Sequence, residues 1–350
     1  MSFRPPRCPN PDCFGHRVPA ANRIIRWGYY TARCRDKPEQ RFRCRECRKT
    51  FSQQTFRHDY RDRRPDCNAL LFELLTSGVG LRRCALILKI GATTAQKKMR
   101  KLSRTCKLLH QNLSPSLPPA RAYLMDEEET YETASIRPLT VPILIERQTW
   151  FVVETDVGSI RRLAPAGTAR RARQERDERK HGKRPDESRA CVKRVFQSLR
   201  SRTYGRVELL TDQKSSYATL AREVLGANSI HATTSGSAPR TMRNPLFPIN
   251  CMIAMSRDGC GRLRRRSWLV SKLAKWLSGQ LAIYTVFRNY VRRRFNRDKP
   301  HETPAYLLGL LPRQLQPCEV VRWRQDWGTR SVHPASTSGA MTVVAGGATK

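Results

Sequence analysis

Four cysteines in two close pairs constrain this chain most: Cys8 and Cys13 in the run CPNPDC, and Cys44 and Cys47 in the run CREC. Two tight thiol pairs separated by a short, basic, hairpin-like stretch supply the four soft ligands of a tetrahedral Zn²⁺ site, two from each turn. The pattern predicts a zinc ribbon over residues 1–57. His16 and Cys34 are alternative ligands, and the step from Cys8 to Cys13 is looser than the usual CxxC. A disulfide scaffold competes, since the chain holds 12 cysteines. Against it, the other eight are scattered singly, no N-terminal apolar run resembles a signal peptide, and no stretch approaches the ~20 apolar residues of a membrane span. The expectation is a soluble protein of a reducing compartment, with no membrane partner.

Charge narrows the partner. The formal net charge is +38 over 350 residues, and the excess is spread along the chain: residues 1–110 carry 26 Lys or Arg against 8 Asp or Glu, and residues 256–299 carry 13 against 2. Such a surface repels itself unless it neutralises phosphates, so nucleic acid is the expected partner. Charge alone does not separate this from a solvated basic surface.

The chain then divides. Residues 62–112 have helical periodicity, and the Pro-rich stretch 113–121 reads as a linker because its consecutive prolines stop a helix. A mixed strand and helix region occupies 122–312, and 313–350 form an extension whose Ser/Thr/Gly/Ala-rich end reads as disordered. Within 62–112, Leu70, Leu71, Leu74 and Leu75 share a helical face, Gly78-Val79-Gly80 turns, and Leu81 to Leu88 form a second helix. After a turn at Ile90-Gly91-Ala92, Thr93 or Thr94 caps a third helix bearing Gln96, Lys97 and Lys98. This is the layout of a helix-turn-helix, with Thr94, Gln96, Lys97 and Lys98 offered to DNA; a plain three-helix unit is the alternative.

Two carboxylates carry the candidate chemistry. Ala122 to Glu127 reads as an apolar strand ending in an acid, Val141–Glu146 and Trp150–Thr155 as the next strands, and Val207 to Asp212 as another strand delivering an acid. Asp126 and Asp212 on neighbouring strands would need a divalent cation between them, and Mg²⁺ held there suits phosphodiester chemistry.

In order, the zinc ribbon, the helix-turn-helix, MDEEETYE with IRPLTVPILIER, LLTDQKSSY, and NPLFPINCMIAMSRDGCGRLRRRSWLVSK resemble bacterial insertion-sequence transposases of the insertion-sequence-one-like group, over about residues 5–300. The resemblance implies an α+β chain whose region 122–312 is an RNase H-like mixed sheet flanked by helices, with a D-D-E type triad that cuts and joins transposon ends using Mg²⁺. Asp126 matches the first acid and Asp212 the second, both as Mg²⁺ ligands. The third position, thirteen residues before the Leu of a basic Arg-Leu motif, falls on Asn250, which offers a carbonyl oxygen but no charge. Asp258 is a lesser substitute, and Asn250 could equally be an N-cap. Arg262, Arg264, Arg265, Arg266 and Lys272, with Trp268, read as a phosphate-facing run or a solvated basic face. The Arg-rich stretch 161–194 reads as a DNA contact or a loop. The expectation is thus a DDE-type transposase with structural Zn²⁺ and catalytic Mg²⁺. It would act as a homo-oligomer on double-stranded DNA, cytoplasmic and nucleoid-associated. The alternative is a non-catalytic DNA-binding protein, either a regulator or a decayed transposase.

Overall fold

A computed structural model describes residues 3–31, 37–57, 59–226, 229–239, 241–264 and 269–323. Two compact units divide the chain after Arg57.

The first unit is a small antiparallel sheet, β1 (Ile24–Tyr30), β2 (Glu39–Cys44) and β3 (Thr50–Ser52), in the order β1-β2-β3. A helical turn, α1 (Phe14–Arg17), follows Cys13. Its core is little more than Phe42, Phe51 and Phe56 packed beside the buried Cys8, Cys13 and Cys44. So few apolar side chains rarely hold a fold of this length without a staple.

The second unit opens with three helices, α2 (Asn68–Thr76), α3 (Leu81–Ile87) and α4 (Ala92–Leu113). Glycines at the two turns explain the breaks: Gly78 has φ +74°, and Gly91 is the extended N-cap of α4. The helical layout read from the sequence is present, with the cap at Gly91, two residues before Thr93 and three before Thr94.

A mixed sheet follows, built from β4 (Ala122–Tyr131), β5 (Pro138–Glu146), β6 (Val152–Thr155), β8 (Val207–Asp212) and β9 (Ser229–Thr234), with the short β7 (Gly158–Ser159) paired to β5. The order is β6-β5-β4-β8-β9; β5 is antiparallel to β4 and β6, whereas β8 runs parallel to β4 and β9 parallel to β8. A three-strand meander extended past its first strand by two parallel strands is the RNase H-like arrangement. Helices α5 (Ala169–His181), α6 (Ser188–Arg202) and α7 (Ser215–Leu225) occupy the β7–β8 and β8–β9 connections, and α8 (Phe247–Gly259) and α9 (Ala274–Val286) follow the sheet. The stretch 161–194 is therefore largely helical. Alternate β4 residues feed two cores: Tyr123 and Met125 join Val195, Phe196 and Tyr217, while Leu124 joins Ile249, Met252 and Ile253 of α8.

Two expected boundaries need correction. Residues 62–112 are not a domain separate from 122–312, because Leu71, Phe72, Met99 and Leu109 lie in one continuous core with Tyr123, Phe151 and Ile283. Buried His110, on α4, hydrogen-bonds the Tyr290 hydroxyl at 2.9 Å and the Val153 carbonyl at 2.9 Å. The stretch 113–121 is likewise no free linker: Leu117 is buried and its N–H donates to the Arg202 carbonyl at 2.7 Å. The C-terminal extension begins inside the same core, where α10 (Pro304–Leu307) is followed by α11 (Pro317–Arg322) and Val320 is buried. Its Ser/Thr/Gly/Ala-rich end lies outside the described residues.

Candidate functional site

Asp126 sits in the middle of β4, not at its end as the sequence suggested, because the β4–β5 hairpin continues through Tyr131 and Pro138. Asp212 is the last residue of β8. The β4–β8 ladder ends with Leu124 beside Leu210, and beyond it Asp126 and Asp212 come off the two neighbouring strands to line one cleft. Two carboxylates brought into one cleft repel unless a cation is shared between them.

The third side of the site comes from α8, whose residues Asn250, Ile253 and Arg257 recur at helical spacing and line the same cleft. The cleft has a volume of about 360 Å³ and is walled by Asp126, Asp212, Asn250 and Arg257, with Ser235 and Gly236 at its rim. Asn250 lies in the first turn of α8, whose N-cap is Leu246, so the N-cap reading of Asn250 does not hold. Asp258, the lesser candidate, points away: its side chain is 90% exposed and pairs with Arg264 at 3.8 Å.

Two residues the sequence reading passed over belong here. Glu128, on the same β4 face as Asp126, is buried and forms a bidentate ion pair with Arg257, one bond being 2.8 Å. That pair, then burial in the opposite direction, then the Glu128 and Asp126 charges act on the Arg257 guanidinium, and its pKa rises on balance. The signal was present in the alternation of the acid run MDEEET along a strand, which puts Asp126 and Glu128 on one face and Glu127 on the other.

The donor set suits Mg²⁺: two carboxylates and an amide oxygen are hard ligands, with room in the cleft for the waters that this ion retains. Asp126 and Asp212 would hold it, with Asn250 as a neutral third donor.

In the first unit, the sulfurs of Cys8, Cys13, Cys44 and Cys47 all lie within 4.8 Å of one another, the one such cluster of His, Cys, Asp or Glu among the described residues. The separations Cys8 to Cys47, 3.6 Å, and Cys13 to Cys44, 3.8 Å, match the ~3.8 Å edge of a tetrahedron with Zn–S bonds of about 2.3 Å. His16 is not part of this cluster; its Nδ1 hydrogen-bonds the Cys8 carbonyl at 2.6 Å and braces the first turn. Cys34 lies outside the described residues.

The residues expected to face DNA divide. Thr94, Gln96 and Lys97 are exposed on the first turns of α4. Lys98 is not: it is 5% exposed, and its ammonium bonds Asp62 at 2.5 Å, the Arg64 carbonyl at 2.6 Å and Asn68 at 2.8 Å. Every one of its three protons is used within the fold, which removes Lys98 from the DNA-facing set. Arg262 is half-buried, with burial lowering its pKa and its guanidinium 3.5 Å from the Ser271 hydroxyl. It belongs to a turn after α8, so the basic run is not one helix face. Arg264 and Lys272 are exposed; Arg265, Arg266 and Trp268 lie outside the described residues.

No helix among the described residues is long and apolar enough to cross a membrane. No family model matches the chain, and no curated protein is similar to it in sequence. Among solved structures, it is similar to a chain of the simian T-cell lymphotropic virus intasome, with 12% identity over 69% of this chain and 74% of that one and a TM-score of 0.31. It is also similar to the catalytic domain of Mos1 mariner transposase, with 14% identity over 54% of this chain and 90% of that one at a TM-score of 0.21. The Mos1 mariner paired end complex with Mn gives 14%, 63%, 74% and 0.23. At these scores the likenesses carry no weight; the fold rests on the strand order itself.

Proposed function

We propose that this chain is a DDE-type DNA transposase of an insertion sequence of the insertion-sequence-one-like group, cutting and joining DNA strands at its element's ends. The observation that carries this reading is that Asp126 and Asp212, from neighbouring parallel strands, line one cleft together with Asn250. Mg²⁺ bound there would supply Lewis-acid stabilisation of charge on the attacking and leaving oxygens. Asp126 and Asp212 would hold the ion, and Asn250 would contribute an amide oxygen. In cleavage, a water oxygen bonds to phosphorus as the phosphorus–O3′ bond breaks, and the water's proton is lost while the 3′-oxygen gains one. In strand transfer that 3′-hydroxyl oxygen attacks a target phosphate, losing its proton as a target 3′-oxygen leaves and is protonated.

The exposed Thr94, Gln96 and Lys97, together with Arg264 and Lys272, support double-stranded DNA as partner, and the zinc ribbon and α4 would select the site. Action on two ends at once favours a homo-oligomer in the cytoplasm, associated with the nucleoid. The uncharged Asn250 supports a second reading, a decayed transposase or regulator that binds DNA without cutting. Incubating the protein with DNA bearing its own element ends and Mg²⁺ or Mn²⁺ separates them. Cleavage that is lost in Asp126→Asn supports the enzyme, whereas end binding with no cleavage under either ion supports the second reading.

A further inference from the structure

The β4–β8 ladder reaches only to Leu124 and Leu210, so at the level of the two aspartates no backbone pairing ties the strands together. Another connection is present on the opposite face of the sheet. Glu127 projects there, away from the cleft face of Asp126, and both of its carboxylate oxygens are engaged. Oε2 accepts from Lys214 Nζ and from the Tyr217 hydroxyl at 2.5 Å; Oε1 accepts from the Thr140 hydroxyl at 2.7 Å and the Ser188 hydroxyl at 3.0 Å. With four donors committed, Glu127 is not available as a metal ligand.

Its neighbours extend the connection to both aspartates. The Glu127 N–H donates to Asp126 Oδ1 at 2.7 Å, and the Lys214 N–H donates to Asp212 Oδ1 at 3.1 Å. One residue, Lys214, therefore holds Asp212 with its backbone and Glu127 with its side chain. We propose that Glu127 is a positioning residue: acting through Lys214 from the far face of the sheet, it sets the separation of Asp126 and Asp212 and so the affinity of the cleft for a divalent cation. The inference rests on the metal-site reading of that cleft. A plain brace for the start of α7 would use the same bonds, so fold stability alone does not discriminate; metal affinity does. Partners that orient metal ligands change affinity by about ten- to a hundredfold when removed.

The test is Mn²⁺ binding by the full-length protein, counted from the free-ion electron paramagnetic resonance signal, with thermal unfolding recorded for each variant. Glu127→Gln and Lys214→Met are expected to weaken Mn²⁺ binding at least about tenfold when measured well below each variant's unfolding temperature, while Lys214→Arg keeps it near the parent value. Lys214 is exposed enough that its replacement decides the matter even if Glu127→Gln folds poorly. Parent-like Mn²⁺ binding in Glu127→Gln and Lys214→Met overturns the positioning role while leaving the metal site standing. A parent that binds Mn²⁺ no better than Asp126→Asn overturns both, and the two failures are thereby told apart.

Discussion

At the scale of single residues, the cleft makes asymmetric predictions. Asp126→Asn and Asp212→Asn should each abolish strand cleavage and leave end binding nearly intact, since neither touches the four-cysteine cluster or α4; gel-shift and cleavage assays on one preparation check this. Asn250→Glu should lower the Mg²⁺ concentration that half-saturates cleavage, because a charged oxygen donor replaces a neutral one. An unchanged Mg²⁺ requirement would place Asn250 outside the ligand set. Lys98→Met should destabilise the second unit by about 3–5 kcal/mol, measured by denaturant unfolding, by leaving Asp62 buried without its partner. The Asp62 carboxyl is pushed up by burial and pulled down further by Lys98, the Arg64 N–H and Asn68, so its pKa falls on balance. A depressed carboxylate stabilises the fold fully above its unfolded value, about 3.9, and the contribution is lost as pH falls through the lower folded value. Acid unfolding of the parent should therefore show this loss below about pH 4, and Lys98→Met should lack it. Asp126 and Asp212 were legible because each follows an apolar run that could only be a strand. Lys98 was not, since its acceptors Asp62 and Asn68 are brought to it from 36 and 30 residues away by packing.

Among elements, the ribbon was the easiest to read and has the least core to support it. Its three phenylalanines cannot replace a metal cross-link among the four cysteines, so with zinc held there chelation, or Cys44→Ser with Cys47→Ser, should unfold the first unit and release about one equivalent of zinc. Far-ultraviolet circular dichroism with metal analysis checks both. Helices α2 to α4 were equally plain from their glycine punctuation. Their burial against α9 and α11 was not, because an apolar stripe announces that something covers it without naming what. In β4 the acid run obscured the strand's length, as half of those charges point into satisfied networks rather than to solvent. On α4 the surviving candidates are Thr94, Gln96 and Lys97. Lys97→Ala should weaken binding to element ends more than to random DNA if it reads a base, and equally if it meets only phosphate, as competition binding would show.

For the whole molecule, net charge is the governing quantity. With +38 distributed over both units, DNA affinity should fall by about 10³–10⁵ between 50 and 200 mM salt if six to ten phosphates are neutralised. A flat response in a salt titration would point to another kind of partner. The topology β6-β5-β4-β8-β9 was only partly visible beforehand: β9 has a weak apolar signature, and nothing local to the sequence told that β8 would lie beside β4. The 22 residues of α4 have a further consequence. A helix of that length spans about 33 Å, with exposed polar turns at one end and His110 locked among Tyr290, Val153 and Arg202 at the other. Such a part is not a cassette. Replacing it with a foreign helix would strip α9 of its cover and break the His110 lock, so α4 can be altered without cost to the fold only one exposed side chain at a time.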